Sequence, residues 1–565
     1  MRYNYKSIIR LKKVGDRMTE VERRNMILKG NLWKTIILIC VPLMVYQMFN
    51  SWYSVLDQII CASISTTAQN AVSSIAQIKN AISAFGAGLA AGGGVLVARY
   101  YGAGDVKNAR FSSSNLLLLA IILSAILAIL VIPLADSILR LCQVADDSRK
   151  LGINYFRLQM LELAFVTVNS VFIGLEKAKG NSKIVLVLNV VVLVVKLGLS
   201  CLFVYGIHIQ DIIFIEIATV IAQASLTIIG LYYMFRPKNI LRLSIPMMRP
   251  KKLYVIPILK LAIPIFLGKF VMNLGKVVVN GMCGAYWNDI NIVRINGEEV
   301  VKDASYELQA TDVLVVKGSL IVGTLGISNN MSGLITSPTN SFEEAESSIV
   351  SQNLGNGNMK RAFKIFVRTF ILATIVSIVG WALMFFVLIN PLTDIFSALN
   401  SKDGAMEVFS DMIKKIFVFD SLSIPALGIN AAVLGLLYGY GQTKLSTILN
   451  LSRIGSRIII LLILHAGPLK DNPTLCAGLS MGISNIIILV VSLTFLLIFL
   501  LHVRKKGYKG MYFTDPEPEV SALNFDGIDI KEKNKIIEEI EQVEKTSQIE
   551  GKIITEENQS NDNIQ

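Results

Sequence analysis

This sequence predicts an all-α polytopic membrane protein, with twelve transmembrane helices arranged as two six-helix bundles. Three observations lead there. Of 565 residues, 53% are hydrophobic and 17% charged, against roughly 25% charged in soluble proteins. Apolar runs of about 20 residues, the length that crosses a bilayer core, recur from near residue 31 to near residue 503. A loop motif and several polar residues within the spans also recur at constant offsets between the two halves. Backbone polar groups in lipid must be satisfied within their own segment, so these runs read as helices. They are too long and continuous for barrel strands.

Residues 1–30 form a basic segment without the continuous apolar core of a cleavable signal peptide, expected on the cytoplasmic surface. The first bundle spans 31–236, with helices near 31–58, 67–100, 112–141, 150–176, 183–206 and 210–235. A cytoplasmic linker, 237–252, leads to the second bundle, 253–503, with helices near 253–286, 318–354, 361–391, 406–438, 444–466 and 474–503. Between helices 7 and 8 lies a polar, alternating insertion, 288–317, which loop parity places outside the cell as a small β-rich element. Its IVRI-NG-EEVV stretch reads as a hairpin, because Asn-Gly favours the turn whose twist matches paired strands. DVLVV reads as a further strand. The tail, 504–565, is expected in the cytoplasm and mostly disordered. From Asp515 on it holds 14 acidic and 5 basic residues, hence −9, so the remainder carries 13 + 9 = +22.

That basic excess sits between apolar spans, where membrane topology explains it better than nucleic-acid binding does. One set of short loops carries Arg99, Lys107, Arg110, Lys177, Lys179, Lys183, Arg236, Lys238, Lys360, Arg361 and Lys444. The alternating loops hold few basic residues. Lys/Arg bias sets orientation, and it puts both termini in the cytoplasm of a multi-pass cell-membrane protein.

The repeat is explicit. ARYYGAGDVKNA from Ala98 corresponds to SQNLGNGNMKRA from Ser351, with Gly102, Gly104 and Lys107 falling on Gly355, Gly357 and Lys360 (355 − 102 = 253). Glycine can take the left-handed conformation that ends a helix. Asp105 or Asn358 can then cap the next helix. Asn169, Gly174, Asn189 and Lys196 match Asn430, Gly435, Asn450 and Arg457 (457 − 196 = 261), and Asn50 and Asp57 match Asn273 and Asn280 (280 − 57 = 223). The jump of about thirty residues is the insertion. Two parallel-related repeats are a transporter architecture.

These residues resemble those of the MATE (multidrug and toxic compound extrusion) family. The resemblance covers about 31–503. It rests on VLDQIICASI around Asp57, the two Gly-x-Gly loops, EIATVIAQ from Glu216 and YGYGQTK from Tyr438. It implies two bundles forming a V around a central cavity. It also implies export of organic, mostly cationic compounds by exchange with H⁺ or Na⁺ through alternating access, with Asp57 as the coupling acid of helix 1. No other cofactor and no obligate protein partner is implied; the partners expected are the small organic substrate and membrane lipids.

An ionisable side chain within a span costs roughly 2.5–3.5 kcal/mol on insertion scales, which makes such residues site candidates. In the first half these are Asp57, Asn189 and Lys196 for ion coupling, with Glu162 behind them. Lys196 departs from the family's pattern, in which an acid accompanies the helix 5 asparagine, and an ammonium there repels Na⁺. Asn189 and Lys196 are seven apart and share a helical face. A lysine facing Asp57 would form an ion pair that a proton breaks; one that snorkels to an interface would not. In the second half, Asn280, Glu343, Glu346, Asp420 and Arg457 are substrate or ion candidates. Lys269, Asn273 and Lys276 lie on the stripe of Asn280, and Glu343 shares a face with Glu346. A structural salt-bridge network is the competing reading. Met44, Met48, Phe49, Trp52 and Tyr53 would suit either a drug cavity or packing against lipid.

No motif supports an enzyme or a metal site. His208, His465 and His502 are far apart, and Gly92-Gly93-Gly94 lacks the context of a phosphate loop. Two other readings stay open: a lipid-linked oligosaccharide flippase, which would use basic residues such as Lys196, Lys276 and Arg457 on a pyrophosphate, and a membrane receptor or scaffold.

Overall fold

A computed structural model describes residues 19–64, 66–141, 146–209, 211–307, 309, 312–400, 406–467 and 469–506. The chain divides into two compact units, 1–498 and 499–565. In the second unit the described residues, 499–506, are helical. The expectations for the acidic tail beyond 506, and for residues 1–18, lie outside the described residues.

The first unit opens with α1 (Glu20–Lys29), whose start Thr19 fixes by a reciprocal cap. Its hydroxyl accepts from the Glu22 amide at 3.2 Å, and the Glu22 carboxylate accepts from the Thr19 amide at 2.9 Å, satisfying two amides that a helix start leaves open. The first bundle comprises α2 (Leu32–Ile64), α3 (Thr66–Ala103), α4 (Val106–Val131), the short α5 (Ala135–Leu141), α6 (Asp146–Ala178), α7 (Ser182–Cys201) and α8 (Ile212–Phe235). The second bundle begins with α9 (Lys252–Trp287). The strands β1 (Ile290–Ile295), β2 (Glu298–Asp303) and β3 (Val313–Lys317) follow. Then come α10 (Ile321–Gly355), α11 (Met359–Leu383), α12 (Ile389–Asn400), α13 (Met406–Ser421), α14 (Ile424–Gly439), α15 (Thr443–Ala466) and α16 (Pro473–Lys506).

All twelve expected segments are helical, with local differences. Helix 3 stops at Val131, where Pro133 cannot donate to the preceding turn, and α5 resumes beyond it. Helix 9 runs on to Asn400 through a π-helical turn at Met384–Leu388. Helix 10 is bent by 46° between α13 and α14, with Pro425 at the start of the second part. Among the described residues, ten helices are long and apolar enough to cross a membrane, eleven when the bent pair counts as one span. The remaining segment, α10, has 35 residues but carries SPTNSFEEAESS in its middle. Residues buried on most of its sides explain how a span can be so polar, because enclosing helices replace lipid around it.

The repeat is physical. α3 packs on α6 as α10 packs on α14, α4 on α6 as α11 on α14, and α2 on α7 as α9 on α15. The two bundles meet through α3 against α9 and, reciprocally, α10 against α2. The loop reading holds in both copies. Gly104 and Gly357 sit at φ +83° and +73°. Asp105 and Asn358 accept from the amides of Asn108 (3.0 Å) and Arg361 (3.2 Å).

The insertion is a three-stranded antiparallel sheet in the order β2-β1-β3. Asn296 and Gly297 form its hairpin turn, both at positive φ (52° and 91°). Nothing lies within 4 Å of where a Gly297 side chain would begin, so a substitution there acts on the backbone alone. Gly297→Val is expected to cost the hairpin about 1–2 kcal/mol. Limited proteolysis should then cut faster within 288–317 while the membrane helices stay intact.

Candidate functional site

The two Gly-x-Gly loops meet, and they meet reciprocally. A side chain on Gly102 would begin 2.0 Å from the carbonyl oxygen of Gln352, and one on Gly355 would begin 2.0 Å from that of Arg99. Arg99 and Gln352 occupy the same repeat position (352 − 99 = 253), as do the two glycines. The side chains cross in the same sense. An Arg99 Nη2 donates to the Gly439 carbonyl at 3.1 Å, and Gln352 Nε2 donates to the Ala178 carbonyl at 2.7 Å, acceptors again related by the repeat (439 − 178 = 261). The bundles are therefore in backbone contact about a pseudo-two-fold axis on the side that carries these loops. Helix α1 braces both loops. Arg24 donates to the carbonyls of Tyr101 and Gly102, each at 3.0 Å, and Arg361 donates to those of Ile27 (3.1 Å) and Gly30 (2.6 Å).

Next to this closed contact is a cavity of about 170 Å³ walled by both bundles. Tyr46 and Gln47 of α2, Gly94 of α3 and Lys177 of α6 face Lys269 of α9, Glu343 and Glu344 of α10 and Tyr438 of α14. Lys177 and Glu344 form an ion pair across the two bundles. Lys269 lies within electrostatic reach of both Glu343 and Glu344. Of the two expected glutamates, Glu343 thus lines the cavity. Glu346 is fully buried, its carboxylate against Gly435 of α14, one turn further round the helix. Glu344, which does not share the helical face of Glu343 and Glu346, is the partner that spans the bundles.

A second group of charges lies within the first bundle. Lys79 of α3 pairs with Glu162 of α6, and Glu216 of α8 and Lys196 of α7 are within electrostatic reach of both. Asn189 donates to the Val185 carbonyl of its own helix at 2.7 Å. Asp57 lies in α2, but its side chain is outside the described residues, so its expected pairing with Lys196 is too. Lys79 drew no notice in the sequence, where IAQIKNAIS gives no sign of an acid 83 residues away. Truncating one partner of a buried ion pair leaves the other uncompensated, at about 3–5 kcal/mol. Lys79→Met is expected to destabilise the protein by that amount, read as a fall in Tm in detergent, and Lys79→Met with Glu162→Gln should recover most of it.

The third group is in the second bundle. Asp420, at the bend of helix 10, accepts from the Ser332 hydroxyl and, at 3.3 Å, from Asn485 Nδ2. Asn485 in turn accepts from Arg453 Nε at 2.8 Å and an Arg457 Nη at 3.4 Å, and Arg457 Nε donates to Ser484 at 3.1 Å. Lys276 of α9 is within electrostatic reach of Arg453, Arg457 and Asp420. Asn280, a turn beyond Lys276, is partly buried. Met48, Phe49 and Trp52 are exposed on α2 (43%, 45% and 39%) and are not among the residues that line the cavity; Tyr53's side chain is outside the described residues.

With this geometry in place, the comparisons with known proteins are specific. A family model described as MatE matches residues 42–202 and 308–463. The multidrug export protein MepA of Staphylococcus haemolyticus is 22% identical over 261 residues, which are 46% of this chain and 58% of that protein. Its counterpart in Staphylococcus saprophyticus is 21% identical over the same shares. The chain thus spans 58% of the length of the curated relatives it matches. Among solved structures, a MOP superfamily transporter from Pyrococcus furiosus, described by the reversed polarity of its binding pocket, superposes with a TM-score of 0.73 at 17% identity over 87% of this chain and all of that one. A multidrug resistance MATE transporter in an outward-facing conformation gives the same figures. At these identities the likeness shows the fold.

Proposed function

Because this chain belongs to the MatE family, whose model matches more than half of it, we propose that it is a secondary active exporter of organic compounds working by alternating access. The observation that carries this reading is the charged cavity shared by two bundles that touch, backbone to backbone, at Gly102 and Gly355 on one side of it, with Arg99 and Gln352 reaching across. Such a contact can part as a unit, because glycines let the backbones meet without interdigitation and the Arg99 and Gln352 side chains that cross it donate to backbone carbonyls. The basic loops place that side in the cytoplasm, so the conformation described is the one closed to the cytoplasm. The multi-pass membrane fold gives the cargo a path between the bundles, and the Staphylococcus relatives are multidrug export proteins.

We assign coupling to the first bundle. Lys79, Glu162, Lys196 and Glu216 gather charges of both signs in one place, and we assign Asn189 and Asp57 to the same task. Na⁺ entering there meets two ammonium groups; a proton meets carboxylates whose balance it changes. The ion is therefore H⁺ in this reading. Glu343 and Glu344 give the cavity a wall suited to a cationic group.

The test is ethidium efflux from reconstituted vesicles under separately imposed H⁺ and Na⁺ gradients. Efflux is expected with the H⁺ gradient alone and is expected to fall at least tenfold in Asp57→Asn. Efflux driven by Na⁺, or an Asp57→Asn variant as active as the parent, would refute the coupling assignment. No efflux from folded protein under either gradient would refute cationic export.

A further inference from the structure

We propose that Lys276, Arg453 and Arg457 form an anion-binding site in the second bundle, taking a halide or the carboxylate, phosphate or sulfonate group of a transported molecule. The inference rests on the transporter reading only for what the anion belongs to; the site itself stands on the residues.

Three basic side chains converge here on one carboxylate, Asp420. Arg453 and Arg457 are four apart on α15, so they project from one face, where like charges repel. Among the described residues, no carboxylate oxygen lies within 4 Å of any of the three. The fold instead inserts an amide. Asn485 receives the guanidinium groups on its oxygen and hands its nitrogen to Asp420. Ser332 takes the other oxygen of Asp420. Both oxygens of the one acid thereby accept from neutral groups, and among the described residues neither accepts a hydrogen bond from a cation. Arg457 is 4% exposed and Asn485 1%, so water does little to screen the charge of Arg457, while Lys276 and Arg453 are partly buried.

The repeat makes the excess pointed. Arg457 stands where the first bundle has Lys196 (457 − 196 = 261). There, Glu162 is within electrostatic reach of the lysine, and the sequence offers Asp57 as a second acid. The corresponding second-bundle residues are Ser423 (423 − 162 = 261) and Asn280 (280 − 57 = 223). The basic residue has been kept at the repeat position and joined by two more, while both acids have become neutral. A charge removed from water needs a counter-charge. Each guanidinium presents five N–H donors and the ammonium three. The acceptors in place for them are Asn485, Ser484 and the sulfur of Met272, the last at 3.6 Å from Arg453. The donors left over match an oxyanion or halide bound between α9 and α15. Arginine forks suit planar carboxylates and phosphates in particular.

The experiment uses the full-length protein in detergent and then in vesicles. Chloride is titrated into gluconate buffer at constant ionic strength while Tm is followed, with benzoate and inorganic phosphate as further probes. In the parent a saturable rise in Tm is expected. Lys276→Met removes a half-buried charge that, among the described residues, has no carboxylate oxygen within 4 Å, so in gluconate it should melt at or above the parent. Its affinity for the anion should be at least tenfold weaker. Lys276→Arg should restore most of it. If benzoate competes with chloride and is itself carried across reconstituted vesicles, the anion is part of the cargo. If chloride binds saturably and benzoate is not carried, the site holds a free anion. Either result supports the site. A parent without saturable anion stabilisation, or a Lys276→Met variant with parental anion affinity, overturns it, whatever ethidium does. Loss of ethidium efflux with anion binding intact would instead count against the export reading.

Discussion

Gly102→Ala is expected to leave the protein folded in the membrane yet open it on the side of the Gly-x-Gly loops. The added methyl group would begin 2.0 Å from a backbone oxygen, that of Gln352. Backbone does not rotate away as a side-chain tip does, so the bundles themselves must separate. Overpacking of this kind costs typically about 1–3 kcal/mol, and it is charged to the closed conformation alone. At 1.4 kcal/mol per tenfold, the closed-to-open ratio falls roughly 5- to 150-fold. Gly355→Ala, its repeat partner, meets Arg99 at the same 2.0 Å and should do the same. Gly333→Ala, with nothing within 4 Å, should behave as the parent. The readout is labelling by an impermeant maleimide at Ser347→Cys, a buried residue of the cavity wall, in a background free of other cysteines, together with the transport rate. Faster labelling and at least tenfold slower transport are expected for both interface variants. Parental labelling would mean that the loops do not hold the bundles together.

Glu344→Gln is the second large effect. The Lys177–Glu344 pair joins the bundles at the cavity wall, with side-chain exposures of 14% and 28%. Removing the acid leaves Lys177 and Lys269 facing each other's charge across a cavity of 170 Å³, with Glu343 to serve both. Breaking one side of a buried pair costs about 3–5 kcal/mol, reduced here by partial access to water. Transport is expected to fall at least tenfold. The double change Lys177→Gln with Glu344→Gln separates two roles. It should restore Tm towards the parent. If it also restores transport, the pair only braces the bundles; if transport stays low, Glu344 contributes to handling the cargo.

The span count, the repeat and the insertion could be read in the sequence because each is a local pattern. Apolar length, Gly followed by a capping Asp or Asn, and Asn-Gly between alternating segments act over a few residues. Partners distant in sequence left no such trace. Lys177 reads as an orienting loop charge until Glu344 arrives from 167 residues away. Lys79 and Asn485 look unremarkable, and their roles come from Glu162 on α6 and from Arg453 and Arg457 on α15. Helical periodicity put Glu343 with Glu346. It could not say that the adjoining face, with Glu344, meets the other bundle, because that depends on how α10 is rotated against α2 and α3.

The central claim is that the two loops part and rejoin as one movement. Spin labels at Lys107→Cys and Lys360→Cys, exposed repeat equivalents on either side of the contact, report on it directly by pulsed dipolar distance measurement in lipid. The account predicts a short distance in the resting protein. A longer second population should grow when a transported substrate and the driving gradient are supplied, and it should dominate in Gly102→Ala. A single unchanged distance in all of these, in protein that still transports, would contradict it.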